Sequence, residues 1–164
     1  MVTATARRAW DVLETVPDPE IPVLSVVDLG IVRAVEEYDG GRGVTVTLTP
    51  TYSGCPATEV IARDVRTALE ASYDEVEVRT QLSPAWTTEW MTDAGREKLR
   101  GFGIAPPAGR ATLPLISVGV GAPSACPRCG SGAVEELAGF GSTPCKALWR
   151  CTTCREPFDY FKTH

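Results

Sequence analysis

The sequence holds a single histidine, His164, its last residue, and that scarcity limits the chemistry before anything else does. A cysteine or serine nucleophile ordinarily needs an imidazole base beside it, and a terminal histidine is a poor member of such a triad. The chain also lacks the Glu-x-x-His pair of a di-iron centre, a glycine-rich nucleotide fingerprint and ferredoxin cysteine spacing. It has no apolar run near the roughly 20 residues that span a bilayer. Met1 to Val16 mixes apolar with charged residues and has no signal-peptide core, so the expected compartment is the cytoplasm and no membrane contact is expected. Basic residues are in deficit, 16 against 21 acidic, a formal charge of −5. That balance argues against a nucleic-acid partner, whose phosphates call for clustered Lys and Arg. The deficit sits in residues 1–123, at −6, while residues 124–164 carry +1.

What is present is six cysteines, four of them in two matched pairs. In a reducing compartment paired cysteines point to metal rather than to disulfides. Cys126-Pro127-Arg128-Cys129 and Cys151-Thr152-Thr153-Cys154 are separated by 21 residues. Each pair can form a knuckle that aims both sulfurs at one ion, and two knuckles complete a closed tetrahedral site. The reading is a structural Zn2+ held by Cys126, Cys129, Cys151 and Cys154, which a segment of about 40 residues needs as a staple. An iron–sulfur cluster on the same thiols, or redox work by one pair, are the other readings. A closed four-thiolate site leaves no open coordination position, so any chemistry lies elsewhere. Cys145 is surplus to the tetrahedron; it is either a packed thiol or, with Lys146 beside it, a metal-transfer or partner-facing one.

Along the chain, Ala4 to Val16 reads as a helix, stopped by the prolines of Pro17-Asp18-Pro19-Glu20-Ile21-Pro22. Leu29 to Glu37 reads as a strand and the alternation Val44, Val46, Leu48 as a second, joined by a glycine-rich turn into a hairpin. Pro56 suits a first helical position, which puts Cys55 at the N-cap of a helix of about 16 residues. Its apolar stripe is Val60, Ile61, Val65, Ala68 and Leu69. A third strand places Val76, Val78 and Leu82 on one face, and Asp93 to Arg100 is a further helix. The order α-β-β-α-β predicts an α+β domain with its helices on one face of a small sheet. Residues 1–102 form that domain, 103–123 a Pro- and Gly-rich linker with a strand docked at Leu113 to Val120, and 124–164 the β-rich four-cysteine ribbon.

A second constellation lies in the first domain. Asp18, Glu20 and Asp28 precede the first strand, and Cys55 follows the second, so a hairpin brings them to one end of the sheet. A thiolate favoured by a helix N-terminus, with carboxylates nearby, has the makings of a labile metal or partner site. The plainer reading is a buried cap at Cys55 with the carboxylates capping turns.

These residues also carry a resemblance. Asp18-Pro19-Glu20-Ile21-Pro22, Val27-Asp28-Leu29-Gly30-Ile31-Val32 and Thr49-Pro50-Thr51-Tyr52-Ser53-Gly54-Cys55-Pro56 resemble the small α+β domain of iron–sulfur cluster assembly factors, over about the first 100 residues. Pro84-Ala85-Trp86-Thr87-Thr88-Glu89-Trp90-Met91 is similar to the closing segment of such domains. With the ribbon and the stretches Gly141 to Leu148 and Glu156 to Lys162, the whole chain resembles a family of accessory proteins, called D or J, of bacterial phenylacetyl-CoA epoxidase systems in phenylacetate degradation. The resemblance implies a non-catalytic role beside separate oxygenase and reductase subunits. It implies as partners those subunits or iron–sulfur assembly proteins, and as a second cofactor a transient Fe or Fe–S cluster met at Cys55. A constitutive structural subunit of the same oxygenase is the alternative.

Overall fold

A computed structural model of the chain describes residues 4–108 and 121–163, and its contacts divide it into two units. The first comprises residues 1–86 and 90–95, the second residues 87–89 and 96–164.

In the first unit, helix α1 (Ala4–Leu13) is followed by a proline-braced segment and a three-stranded sheet of β1 (Val32–Tyr38), β2 (Gly43–Leu48) and β3 (Glu75–Thr80). Helix α2 (Thr58–Glu70) joins β2 to β3. The sheet order is β1-β2-β3, with β1 and β2 antiparallel and β2 and β3 parallel. The parallel pair follows from the crossover through α2, which returns the chain to the end at which β2 began. Both helices pack together, α1 also on β1 and α2 on β3. The core contains Ala9, Leu13, Val44, Val46, Leu48, Ile61, Val65 and Leu69, all buried. Burying one such aliphatic side chain stabilises the fold by about 1.5–3 kcal/mol, so the alternation in β2 fixes which face meets the helices.

Boundaries differ locally from the sequence expectation, for physical reasons. Helix α1 ends at Leu13 because the next turn tightens, with Thr15 N–H donating to Val12 O and Val16 N–H to Leu13 O. Helix α2 begins at Thr58, with Ala57 as its cap residue, and is 13 residues long. Pro56 instead belongs to a turn in which Cys55 N–H donates to Tyr52 O and Thr58 N–H to Cys55 O. Leu82, placed with Val76 and Val78 on the third strand, lies beyond the end of β3 and is 55% exposed.

The second unit holds most of helix α3 (Asp93–Phe102) and a four-stranded sheet of β4 (Ile104–Ala105), β5 (Val134–Ala138), β6 (Lys146–Cys151) and β7 (Pro157–Phe161). The order is β4-β7-β6-β5. Strands β5, β6 and β7 form an antiparallel meander, and β4 runs parallel to β7, with Ile104 opposite Asp159 and Ala105 opposite Tyr160. The first residues of the expected linker are therefore part of the ribbon sheet; the strand expected at Leu113 to Val120 lies outside the described residues. A single core unites Ala105, Cys126, Ala147, Trp149, Cys151, Phe158 and Tyr160. Trp149 and Tyr160 meet edge to face at 6.1 Å. Cys126 and Cys151 belong to this core, so the ligands and the packing are one structure. The architecture is mixed α+β with a β-rich four-cysteine unit.

Candidate metal centre

The two Cys-x-x-Cys segments fold alike. In the first, Gly130 N–H closes the turn on Cys126 O at 2.9 Å and Arg128 N–H points at Cys126 Sγ, 3.4 Å away. In the second, Cys154 N–H points at Cys151 Sγ at 3.5 Å, and Cys151 N–H donates to Glu156 O at 3.0 Å. The residue after each second cysteine has a left-handed backbone, Gly130 at φ +75° and Arg155 at φ +65°. That conformation turns the chain away once both sulfurs face inward. Glycine adopts it freely, whereas an arginine does so at a cost of roughly 1 kcal/mol.

The knuckles bring four sulfurs together. Cys126 Sγ stands 3.8 Å from Cys154 Sγ, and Cys129 Sγ stands 3.6 Å from Cys151 Sγ. All four ligand atoms lie within 4.8 Å of one another. A metal bound tetrahedrally with metal–sulfur distances of about 2.3 Å requires sulfur–sulfur edges of about 3.8 Å. The donor set therefore fits one thiolate-bound ion. It does not fit a cubane cluster, whose four cysteines bind separate irons and stand farther apart.

Electrostatics point the same way. The Cys154 N–H, joined by that of Thr153, holds the Cys151 thiol down to about 6 against the opposing effect of burial. The Glu156 N–H favours the Cys154 thiolate, yet burial and the sulfurs of Cys129, Cys151 and Cys126 push that thiol up to about 12. The first thiolate forms easily and the last is resisted by its neighbours. A divalent cation among them removes the conflict.

The other candidate residues are placed differently. Asp18 is buried and its Oδ1 accepts from Glu20 N–H at 2.9 Å and Ile21 N–H at 2.7 Å. Asp28, also buried, accepts from Ser25 N–H at 3.0 Å through Oδ2 while its own N–H donates to Ser25 Oγ. Its Oδ1 takes the Thr92 hydroxyl at 3.2 Å. These carboxylates organise turns, and Glu20, half-buried, sits within the first of them. Cys55 is half-buried in its turn, two residues before the cap of α2, so the helix-cap argument for its thiolate does not hold. The two loops flank the same hairpin. Val32 pairs with Leu48 and Thr49 N–H donates to Ile31 O at 2.8 Å, which sets the Asp28 and Cys55 loops at one end of the sheet. Among the described residues the four ribbon cysteines are nevertheless the one set of three or more His, Cys, Asp or Glu side chains whose ligand atoms converge. Cys145 is buried, its Sγ 3.1 Å from Thr143 Oγ1. Lys146, expected to act on that thiol, makes an ion pair with Asp159 at 3.4 Å.

The brace of this sheet end was not legible in the sequence. Trp86 Nε1–H donates to Leu29 O at 3.0 Å, and Arg33 lies over the Trp90 ring at 3.5 Å. Gly30, at φ +68°, has no room for a side chain beside the Trp90 carbonyl. Two tryptophans four residues apart were the available signal.

Comparison with known proteins recognises two parts of the chain. Residues 7–80 match a family model described as an iron–sulfur cluster assembly protein, and residues 117–162 one described as a PaaD zinc beta ribbon domain. The chain is 51% identical, over 95% of its own length and 92% of the other, to the D component of a 1,2-phenylacetyl-CoA epoxidase of Escherichia coli (strain K12). It is 40% identical to an Fe-S protein maturation auxiliary factor of Porphyromonas gingivalis (strain ATCC BAA-308 / W83), over 49% of this chain and 77% of that one. A solved DUF59 domain from Bacillus anthracis superposes with a TM-score of 0.55 at 30% identity, over 58% of this chain and 92% of that one. With a match that runs nearly end to end, and with both halves recognised separately, the chain belongs to the family of phenylacetyl-CoA epoxidase D components, in which an iron–sulfur assembly domain is followed by a PaaD zinc ribbon.

Proposed function

We propose that this protein is a non-catalytic maturation subunit of a phenylacetyl-CoA ring 1,2-epoxidase system, assisting assembly of an iron or iron–sulfur centre in the oxygenase or its reductase. The observation that carries the reading is the first domain's 40% identity to an Fe-S protein maturation factor within a chain otherwise matched throughout by an epoxidase component. Zinc is the ion assigned to the four thiolates, since a closed four-sulfur tetrahedron is its usual structural site. In this reading the ribbon stabilises the second unit and offers the docking surface, and the thiol of Cys55 touches the metal in transit. Asp18, Glu20 and Asp28 shape the loop beside it. The partners are the oxygenase and reductase subunits or the iron–sulfur assembly proteins that load them.

The test is reconstitution of the oxygenase and reductase with and without this protein, starting once from metal-free and once from preloaded subunits. A maturation factor raises epoxidation only from the metal-free start and is needed in less than equal amounts. Equal dependence from both starts, saturating at one copy per complex, overturns the reading in favour of a constitutive structural subunit.

A further inference from the structure

The four sulfurs of the ribbon are not equivalent. Cys126 and Cys151 are buried, at 2% and 0% exposure, Cys154 is half-buried, and Cys129 is exposed. Among the described residues the backbone N–H donors aimed at the sulfurs reach two of the others: Arg128 N–H points at Cys126 and Cys154 N–H at Cys151. An N–H donor draws electron density from a thiolate and makes it a poorer nucleophile, while burial bars an attacking reagent. Cys129 is thus the ligand that solvent reaches and that its knuckle shields least. Across the site its sulfur stands 3.6 Å from that of Cys151.

We propose that Cys129 is an oxidation site through which peroxide releases the ribbon metal, with Cys151 as the resolving thiol. The metal-bound thiolate of Cys129 attacks one oxygen of hydrogen peroxide; the S–O bond forms, the O–O bond breaks and hydroxide leaves. The Cys151 thiolate then attacks the sulfenic sulfur, forming the S–S bond as the S–O bond breaks and a second hydroxide leaves. Two thiolates lose two electrons, one peroxide gains them, and both hydroxides take up protons to become water. The sulfurs close from 3.6 Å to about 2.05 Å, a movement within reach of side-chain rotation. Only Cys126 and Cys154 would then remain to hold an ion, two thiolates where four had bound it. A thiol reductant restores the site, since neither sulfur passes beyond the disulfide.

The consequence for the unit is large because Cys126 and Cys151 lie in the same core as Trp149, Phe158 and Tyr160. Loss of the ion frees both knuckles from that core. An oxidant-exposed metal ligand makes the ribbon a redox-sensitive element of the chain. The chemistry rests on the metal assignment alone, not on the maturation role.

The experiment uses the full zinc-loaded chain, with metal content measured first; a preparation that takes up no zinc overturns the metal assignment itself. Hydrogen peroxide is added in stepwise equivalents, released zinc is read with a chromogenic chelator, and the cysteines are mapped by differential alkylation and mass spectrometry. The expected first disulfide is Cys129–Cys151, appearing in step with zinc release and reversed by dithiothreitol. Cys129→His keeps a zinc-ligating atom but removes the oxidisable sulfur, and should release zinc roughly tenfold more slowly. Cys145→Ser, a change at a cysteine outside the four-sulfur cluster, is the control, expected to release at the wild-type rate. First oxidation at Cys126, Cys151 or Cys154, or release from Cys129→His at the wild-type rate, overturns the proposal. If Cys129→His fails to hold zinc, the order of oxidation mapped in the wild-type chain decides it alone.

Discussion

Gly30 and Gly40 share a backbone conformation, φ +68° and +67°, yet their surroundings are opposite. A Cβ at Gly30 would lie 2.0 Å from the Trp90 carbonyl oxygen, a backbone atom that cannot swing away, whereas one at Gly40 would meet nothing within 4 Å. Gly40→Ala should therefore cost only the left-handed penalty, about 1 kcal/mol. Gly30→Ala adds a steric clash in a buried turn and should cost roughly 3 kcal/mol or more, read as a drop in the urea midpoint. Tyr73 gives a second test at this scale. Its pKa is raised to about 12, first by burial, then by its hydrogen bond to Glu37 and the charge of that carboxylate, with Arg8 opposing. The folded state holds the phenolic proton more tightly than the unfolded chain, where tyrosine titrates near 10. The resulting stability is fully present below about pH 10 and fades as pH rises toward 12. Tyr73→Phe should remove this part of the alkaline destabilisation, measured by chemical unfolding across pH 8 to 12. A tyrosine on the chain says nothing of this in sequence; the effect exists because folding sets its hydroxyl against Glu37.

At the scale of elements, what could be read was what repeats. Val44, Val46 and Leu48 alternate, and all three are buried in β2; Ile61, Val65 and Leu69 recur at helical spacing, and they form the buried stripe of α2. Strand β4 is two residues long and gains its identity only by pairing with β7 much later in the chain, so no local pattern announces it. The same holds for the start of α2, where Pro56 fits a helix equally well but is taken into the Cys55 turn. These pairings imply that the first unit ends near Gly95, not at the ribbon. A chain ending at Gly95 should melt cooperatively. One ending at Pro123 should fold the same unit but lose its tail to limited proteolysis, because β4 has no β7 to pair with. Equal protease resistance of the two chains would speak against this division. Within the ribbon, Cys154→Ser removes one of four ligands from a site whose metal supplies roughly 10–16 kcal/mol of apparent binding free energy. The expected result is loss of bound zinc and of protease resistance across β5 to β7, with chelation of the wild-type chain doing the same.

For the molecule as a whole, the metal centre was legible and the candidate transfer site only in part, and the difference is physical. Four cysteines at fixed spacing specify a geometry by themselves, because each knuckle is a local turn. Cys55 and Asp28 come together only as loops at one sheet end, and their chemistry depends on side-chain directions that no spacing encodes. The structure gives Asp18 and Asp28 to turn hydrogen bonds and leaves Cys55 half-buried in a turn whose bonds are all made by its backbone. That arrangement allows a clean separation of stability from function. Cys55 N–H to Tyr52 O, and Thr58 N–H and hydroxyl to Cys55 O, survive a change of side chain. Cys55→Ser should thus shift stability by no more than about 1 kcal/mol. Serine is a far poorer ligand for iron than a thiolate, so passage of metal through this residue should fail. In a strain lacking the gene, the Cys55→Ser protein should not restore growth on phenylacetate, although its melting curve stays near wild type. Cys55→Ala serves as the second variant: a metal ligand predicts failure of both, whereas a packing role predicts that alanine and serine differ. Full growth with either variant would remove Cys55 from the transfer route and leave the ribbon as the part of this chain that meets its partners.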